Sequence, residues 1–334
     1  MDAARALRTI AFHLERAGEP TYRVTAFRRA AEVVAELSSD ELAERVRRGT
    51  LTELKGIGKR TAEVVADAVA GREPEYLTRL LARAEPEVSG GSQLLAALRG
   101  DCHSHSDWSD GGSPIHEMAE AARELGHEWL ALTDHSPRLT VARGLSADRL
   151  RQQLDVVAEL NAELAPFRIL TGIEVDVLDD GALDQEPELL DRLDVVVASV
   201  HSKLRMPERA MTRRLLAAVS NPRVNVLGHC TGRIVVGRGR PESEFDADAV
   251  FDACREHDVA VEINSRPDRL DPPRRLLRRA LDAGCRFAID SDAHAPGQLA
   301  WQRYGCARAE ECGVPEERVV STWTADRLVG WARG

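Results

Sequence analysis

DVVVASVHSKL, residues 194–204, is the stretch that decides the fold of this chain of 334 residues. Its apolar run from Val195 to Val200 is rich in β-branched residues and ends at a polar cluster. The run is far too short to cross a membrane and is typical of a buried strand in a parallel sheet. Six similar runs are spaced along the sequence: Asp101–His105, Trp129–Thr133, Ile169–Val175, Val224–Gly228, Val259–Ile263 and Phe287–Ile289.

Stretches with helical periodicity separate these runs: Pro114–Leu125, Ala147–Leu164, Pro207–Val219, Ala247–His257, Pro273–Ala283 and Gly297–Cys312. Seven strands that alternate with helices over about 230 residues indicate an α/β fold with a parallel sheet. They favour a closed TIM-like (β/α)7 barrel, and an open doubly wound sheet stays the alternative.

The first part of the chain has a different pattern. Apolar residues recur at helical spacing in residues 1–84, as at Leu7, Ile10 and Leu14, and glycine and proline interrupt the pattern. EPEVSGGSQ, which begins at Glu85, has the composition of a flexible connector. The sequence therefore predicts a small all-α domain over residues 1–84, a linker over 85–99 and an α/β domain over 100–334.

Composition excludes several classes of protein. Hydrophobic residues make up 43% of the chain and charged residues 30%, which is ordinary for a folded globular protein. No apolar run is long enough for a membrane span and the start lacks a signal peptide, so we expect a cytoplasmic protein with no membrane partner. Residues 1–95 hold 15 basic and 15 acidic residues, so the net charge of −10 lies beyond residue 95. An acidic domain is suited to carboxylates that hold cations.

Short polar clusters end or follow six of the seven predicted strands. They read DCHSHSDWSDG, LTDHS, GIEVD, SVHSK, LGHCTGR and IDSDAH, and contain six of the ten histidines. In a barrel the carboxyl ends of all strands meet at one face, so these side chains would share one pocket. Imidazole and carboxylate groups are ligands of first-row metals, and more than one ion is implied. Taken singly, each histidine could equally be a hydrogen-bonded structural residue.

The order of HxH, WSDG, TDH, GIE, SVH, GH and SDAH resembles that of the polymerase and histidinol phosphatase (PHP) superfamily. Longer stretches, such as NVLGHCTGRI and VEINSRPDRLD, look most like the C-terminal PHP domain of bacterial family X DNA polymerases. The resemblance implies a distorted (β/α)7 barrel, three divalent ions (manganese, zinc or iron), and phosphoester hydrolysis that includes 3′ to 5′ exonuclease action.

The resemblance also implies which residues hold the ions. One ion would be held by His103, His105, Glu174 and Asp292, with Glu174 bridging to a second ion. His201 and His229 would complete the second site, and Asp110, His135 and His294 would form the third. Glu174, Asp292 and His103 are the residues we expect to be catalytic.

Four further groups near these clusters have predicted roles. Arg233 and Lys203 follow predicted ligands closely enough to bind a substrate phosphate, although surface salt bridges are an equal alternative. Asp101 and Asp134 are expected to orient ligand imidazoles. Glu262 and Asn264 end the one strand without a ligand cluster, so they either line the pocket or cap the barrel.

The N-terminal domain contains a candidate helix-hairpin-helix. Leu54–Lys59 reads LKGIGK, in which Gly56 and Gly58 allow close approach of a DNA phosphate while Lys59 and Arg60 add charge. A tight helical turn that only packs is the alternative. Residues 5–84 resemble the eight-kilodalton domain of family X polymerases, with Arg23, Arg28 and Arg29 on its basic face.

Two departures from family X limit the expected activities. Val64 stands where animal members carry a lyase lysine, and residues 85–100 leave no room for a polymerase palm. Polymerase activity is therefore not expected. The leading hypothesis is a metal-dependent nuclease acting on single-stranded DNA or 3′ ends. The alternatives are a small-molecule phosphatase acting on a substrate such as histidinol phosphate, and a non-catalytic DNA-binding accessory protein.

Overall fold

The computed structural model describes residues 2–83 and 88–334. Its internal contacts divide the chain into two compact units, residues 1–87 and residues 88–334. Within the described ranges, no helix combines the length and the apolar character that a membrane crossing requires.

The smaller unit consists of helices over its described residues. They are α1 (Ala3–Arg16), α2 (Thr21–Ala35), α3 (Ser39–Arg48), α4 (Lys59–Val69) and α5 (Glu75–Leu81). The predicted apolar stripe of α1 is buried, with Leu7, Ile10 and Leu14 each at 0% exposure in one core with Phe27 and Val65. The all-α prediction for this region is confirmed.

The larger unit is built on a sheet of seven parallel strands, counted over the part of the chain that the structure describes. They run in sequence order as β1 (Gly100–Ser104), β2 (Trp129–Leu132), β3 (Arg168–Asp176), β4 (Val195–Ser199), β5 (Val226–Leu227), β6 (Ala260–Asn264) and β7 (Phe287–Asp290). A parallel bridge between Ser104 and Ala293 joins the two edges, where the His105 N–H donates to the Ala293 carbonyl at 2.8 Å. The sheet is therefore a nearly closed barrel, and the open-sheet alternative is wrong.

One helix precedes β1, and further helices follow the strands around the barrel. They are α6 (Ser92–Ala97), α7 (Ile115–Glu124), α8 (Ala147–Leu164), α9 (Pro187–Leu190), α10 (Glu208–Val219), α11 (Ala247–Glu256), α12 (Arg274–Ala283), α13 (Gln302–Glu311) and α14 (Ala325–Ala332). A 3-10 turn over Pro296–Trp301 precedes α13.

The predicted linker over residues 85–99 differs from the structure in its second half. Residues 84–87 lie outside the described residues, whereas Ser92–Ala97 forms α6. Leu94 and Leu98 are buried in the main core of the larger unit. Leu94 and Leu98 are four positions apart, so they lie on one face of this helical segment and pack it against the core. The paired glycines before the segment favoured the prediction of a linker instead.

Alternation along each strand creates the polar interior of the barrel. Strand residues facing outwards, such as Ile173, Val196 and Ile263, pack in one core with residues of the surrounding helices. The alternate residues of each strand face the barrel interior. Near the start of the strands these residues are apolar, and Leu170, Val195 and Ala260 form part of a separate core. Two or four positions later the same faces carry Glu174, Ser199 and Glu262, all buried. Polar groups, among them two carboxyls, are thereby placed at the carboxyl end of the barrel.

Candidate metal centre

The carboxylate of Glu174, near the end of β3, is the centre of the cluster at the carboxyl end of the barrel. Its side chain is 1% exposed. The imidazole nitrogens nearest to its oxygens belong to His135 (2.8 Å), His229 (2.9 Å), His201 (3.1 Å), His103 (3.4 Å) and His105 (3.6 Å).

Asp292 and Asp110 extend the cluster on the side of β1 and β7. Asp292 Oδ1 lies 3.4 Å from His105 Nε2 and 3.6 Å from His294 Nδ1. Asp110 Oδ1 lies 3.5 Å from His135 Nε2 and 3.4 Å from His294 Nε2. The structure thus brings all nine predicted ligands together: His103, His105, Asp110, His135, Glu174, His201, His229, Asp292 and His294.

The chemistry of this donor set fits divalent cations. Two ligands on one ion, each about 2.0–2.2 Å from it, stand about 3–3.5 Å apart, as many of these nitrogen–oxygen pairs do. Several buried imidazole nitrogens have no hydrogen bond of acceptable geometry, among them both nitrogens of His105 and of His201, and Nε2 of His103. Buried polar atoms without partners are uncommon unless an ion, a water or a ligand satisfies them. Three overlapping groups of potential ligands, His105–Asp110–His135–His294, His103–His105–Glu174 and His135–Glu174–His201, occur among the described residues.

The charges within the cluster oppose one another. Burial by itself would raise the pKa of the Glu174 carboxyl, but the imidazoles of His201, His103 and His135 hold that pKa well below its ordinary value. Burial would lower the pKa of His201, yet Glu174 and Asp176 raise it to about 9. Burial and the neighbouring imidazoles of His294 and His135 lower the pKa of His105 well below its ordinary value. Ionised carboxylates beside imidazoles that hold exchangeable protons are suited to cation binding with proton release.

Asp134 positions the loop that carries Asp110. Its carboxylate accepts hydrogen bonds from Ser106, through both N–H and Oγ, from the Ser109 hydroxyl and from Gln153. Asp101 likewise accepts from the backbone N–H groups of His103 and Ser291. Both carboxylates therefore hold ligand-bearing backbone, which corrects the prediction that they orient ligand imidazoles directly.

Two arginines that sequence reasoning missed lie beside the cluster. A cavity of about 370 Å³ opens onto Glu174 and Asp292 and is also lined by Arg266 and Arg269. Arg269 Nε lies 3.3 Å from Asp292 Oδ2, and Arg266 Nη1 lies 3.7 Å from Asp292 Oδ1. The buried Nη1 of Arg269 has no hydrogen-bond partner. The signal available in the sequence was a pair of arginines directly after β6, the strand without a predicted ligand.

Arg233 and Lys203 are not among the residues that line this cavity. Arg233 Nε donates to the Arg269 carbonyl at 3.1 Å, and its Nη2 donates to the Leu270 carbonyl. Lys203 is exposed and pairs with Asp179. The guanidinium group of Arg233 and the ammonium group of Lys203 thus contact the protein away from this cavity, whereas Arg266 and Arg269 line it.

The predicted hairpin in the smaller unit has the geometry of a tight turn before a helix. Gly56 has a φ of +107°, and a Cβ atom there would lie 3.1 Å from Cγ of Arg29. Gly58 precedes α4, and its N–H donates to Thr61 Oγ1 at 2.9 Å. Lys59 and Arg60 are exposed at the start of α4, where amides of the first helical turn have no intrahelical acceptor.

A basic pocket lies next to this turn. Its lining includes Arg23, Arg60, Tyr76, Arg79 and Arg83. Arg23 Nη2 donates to the Tyr76 hydroxyl at 3.0 Å, and the Arg60 guanidinium lies 5.6 Å from the centre of the Tyr76 ring.

Comparison with known proteins agrees with this architecture and this cluster. Residues 101–266 match the PHP domain family, and residues 1–73 match a helix-hairpin-helix domain family. The larger unit carries a PHP domain. The protein is a hydrolase of the PHP type with a helix-hairpin-helix domain at its N-terminal end, and the predicted family resemblance, fold and enzyme class are confirmed.

The relatives of this PHP protein include two kinds of enzyme. The DNA polymerase/3′-5′ exonuclease PolX of Bacillus subtilis is 44% identical over 227 residues, which are 68% of this chain and 40% of that protein. The chain thus spans less than half of the length of this relative. A probable phosphatase of Caldanaerobacter subterraneus is 28% identical over 248 residues, covering 70% of this chain and 91% of the relative.

A solved structure also resembles the PHP domain. The crystal structure of histidinol phosphate phosphatase from Lactococcus lactis, complexed with zinc, L-histidinol and phosphate, is 20% identical to this chain with a TM-score of 0.47. The match covers 64% of this chain and 94% of that one.

Proposed function

We propose that this protein is a metal-dependent nuclease that removes nucleotides from the 3′ end of DNA. In this proposal residues 1–84 bind DNA and residues 100–334 hydrolyse the phosphodiester bond. The observation that carries it is the ligand cluster around Glu174, flanked by two arginines, in a chain that also contains a helix-hairpin-helix. The 3′-5′ exonuclease named among the relatives supports the same reaction. DNA as the substrate also favours the cytoplasmic location predicted from the sequence.

The ligand assignment is part of the proposal. His103, His105, Glu174 and Asp292 would hold one ion, Glu174, His201 and His229 a second, and Asp110, His135 and His294 a third. Divalent cations bound there would neutralise phosphate charge, activate a water as the nucleophile and stabilise the leaving oxygen. Asp110 supplies oxygen at the most exposed position, which favours manganese over zinc, with iron as a further candidate.

Arg266 and Arg269 would bind the phosphate that is cleaved. A guanidinium group matches the non-bridging oxygens of a phosphate and remains charged at all relevant pH values. Arg266 is held by Asp268 through Nε–Oδ1 and Nη2–Oδ2 contacts of 3.1 and 3.4 Å. The unpaired Nη1 of Arg269 leaves a donor for an anion in the pocket. Their contacts with Asp292 keep both arginines next to the proposed ions.

The helical domain would deliver the strand without reading its sequence. The exposed Lys59 and Arg60 at the start of α4, with the glycine turn before them, form a contact suited to a DNA phosphate. Arg79 and Arg83 line the adjacent pocket, where they pair with Glu75 and Glu19. Position 64 holds a lyase lysine in animal family X members, but here it is valine, which has no amine for Schiff-base chemistry. The Val64 side chain is 1% exposed in the helical core.

A small-molecule phosphatase is the second candidate. The cavity of about 370 Å³ is large enough for a small phosphate ester, and the probable phosphatase matches over 91% of its own length. In this reading the helical domain would serve packing or assembly.

One assay separates the two candidates. Manganese-loaded protein is incubated with single-stranded DNA labelled at its 5′ end, with the same DNA labelled at its 3′ end, and with histidinol phosphate. The nuclease proposal expects a ladder of shortened 5′-labelled products, early release of the 3′ label and slow phosphate release from histidinol phosphate. Intact DNA beside rapid phosphate release would replace the proposal by the second candidate. The Asp292→Asn variant, prepared in parallel, controls for contaminating nucleases because Asp292 is a proposed ligand.

A further inference from the structure

We propose that Glu262, acting with Asn264, is a positioning residue that holds ligands of two different ions in the metal centre. The inference rests on the proposed metal-dependent function of the cluster. Both residues lie on β6, the strand that supplies no metal ligand, and both are 0% exposed. They are two positions apart, so their side chains point to the same, inner face of the barrel.

The Glu262 carboxylate contacts the ring of one proposed ligand, His103, and the backbone N–H of another, His229. Its Oε1 lies 2.6 Å from His103 Nδ1. Its Oε2 accepts a hydrogen bond from the backbone N–H of His229, and the ring of His229 lies against Glu174. One carboxylate thereby links a ligand on β1 to a ligand that follows β5.

This contact selects the form of His103 that can bind a cation. With Oε1 this close to Nδ1, the carboxylate oxygen can accept a hydrogen bond from that nitrogen, which places the proton of the neutral His103 ring on Nδ1. The lone pair is then on Nε2, which lies 3.4 Å from Glu174 Oε2 and has no hydrogen-bond partner. A carboxylate behind a ligand imidazole fixes the ring orientation and raises its basicity towards the metal.

Asn264 extends the link to the phosphate-binding side of the pocket. Its Nδ2 donates to Glu262 Oε2 at 3.2 Å and to Asp292 Oδ2 at 3.0 Å. Its Oδ1 accepts the backbone N–H of Arg266 at 3.1 Å. The amide therefore joins Glu262 to a third proposed ligand and to the loop that carries both arginines.

Asp271 is a buried carboxylate of this barrel that contacts no proposed ligand. Asp271 is also 0% exposed, but it accepts from the N–H and hydroxyl of Thr231 and from the Arg233 N–H. None of these groups belongs to a proposed ligand. Asp271 is therefore a matched control for the loss of a buried charge.

Metal binding without substrate tests the inference. In Glu262→Gln one amide replaces one oxygen, so either the His103 ring or the His229 N–H loses its acceptor. We expect the affinity for manganese or zinc, measured by competition with a chelator, to fall about 10- to 100-fold and fewer ions to be retained after dialysis. Asp271→Asn is expected to keep the wild-type affinity and stoichiometry. Wild-type metal affinity in Glu262→Gln would overturn the inference.

A second variant covers a failure of Glu262→Gln to fold. Asn264→Ser removes the donor to Asp292 and leaves the buried carboxylate in place, so we expect a several-fold loss of metal affinity in folded protein. Unchanged affinity there would also contradict the inference. Weak metal binding by these variants, alongside a wild-type protein that cleaves no phosphoester, would retain the positioning role and refute the proposed function.

Discussion

The guanidinium Nε of Arg269 lies 3.3 Å from Oδ2 of Asp292, so a fixed positive charge stands at the edge of the ligand cluster. Arg266 contacts the other oxygen of the same carboxylate at 3.7 Å. Burial by itself would raise the pKa of Asp292, but Arg266, His103 and Arg269 hold it well below its ordinary value. The Asp292 carboxyl is thereby kept ionised, as its proposed role as a metal ligand requires, and both guanidinium groups are held beside it at the cavity.

Replacing Arg269 by alanine is expected to weaken substrate binding more than turnover. A hydrogen bond to a charged group contributes about 1.5–3 kcal/mol, which corresponds to a rise in KM of about 10- to 100-fold. Steady-state kinetics on single-stranded DNA with saturating manganese measures this change. Lys203→Ala is the control, because Lys203 lies outside the cavity and pairs with Asp179. The reverse outcome, a large effect for Lys203 and none for Arg269, would restore the assignment made from the sequence.

Glu174→Gln is expected to abolish hydrolysis while leaving DNA binding intact. The amide keeps the size of the side chain but removes the charge that five imidazoles surround. We expect kcat to fall by more than about 100-fold and the bound metal to decrease, since even a residue behind a ligand changes activity 10- to 100-fold. Elemental analysis and fluorescence anisotropy of labelled DNA measure the two properties. Full activity in this variant would contradict the bridging role of Glu174.

The ligand cluster could be predicted from sequence because strand ends are recognisable. Each barrel strand is a short apolar run, and a histidine or carboxylate directly after it must lie at the face where all strands end. His201 after β4 and His229 after β5 are examples, and both lie within 3.1 Å of Glu174. Boundaries moved by one or two residues, as at β5, without changing which residues follow the strand.

The arginines proposed to bind the substrate phosphate could not be predicted in the same way. Loop residues are placed by hydrogen bonds that a pattern of apolar residues does not encode. Arg233 is close to His229 in sequence, but its guanidinium group donates hydrogen bonds to the carbonyls of Arg269 and Leu270. Arg269 reaches the cluster from a loop after a different strand. The role proposed for Glu262 was likewise hidden, since it depends on a contact with His103 across 159 positions of sequence.

Replacing Lys59 and Arg60 together by alanine is expected to weaken DNA binding and its dependence on salt. Each phosphate contact on single-stranded DNA contributes about 0.7 to the slope of log K against log salt, so the slope should become shallower by about 1.4. Binding measured by anisotropy between 50 and 300 mM salt, about the range in which such slopes are determined, gives this value. Arg5→Ala with Arg8→Ala removes two exposed charges of α1 as a control. An unchanged slope in the Lys59/Arg60 variant would make the hairpin a packing element.

His127 is expected to make the PHP domain less stable in mild acid. Burial lowers the pKa of this imidazole to about 4, below the value of about 6.5 in an unfolded chain. Between these two values the unfolded state binds more protons, so stability is complete above about pH 6.5 and is lost as the pH falls towards 4. From pH 7 to pH 5 the contribution of this one group is about 1 to 2 kcal/mol.

Urea unfolding in the presence of EDTA, followed by tryptophan fluorescence, measures this effect. All five tryptophans lie beyond residue 100, so the signal reports on the PHP domain. His127→Asn should reduce the loss of unfolding free energy between pH 7 and pH 5 by about 1 to 2 kcal/mol, because asparagine takes up no proton. His116→Asn, at an exposed position on α7 where the imidazole pairs with Glu120, should leave the loss as in the wild type. Equal losses in wild type and His127→Asn would show that the His127 ring accepts its proton without unfolding the barrel.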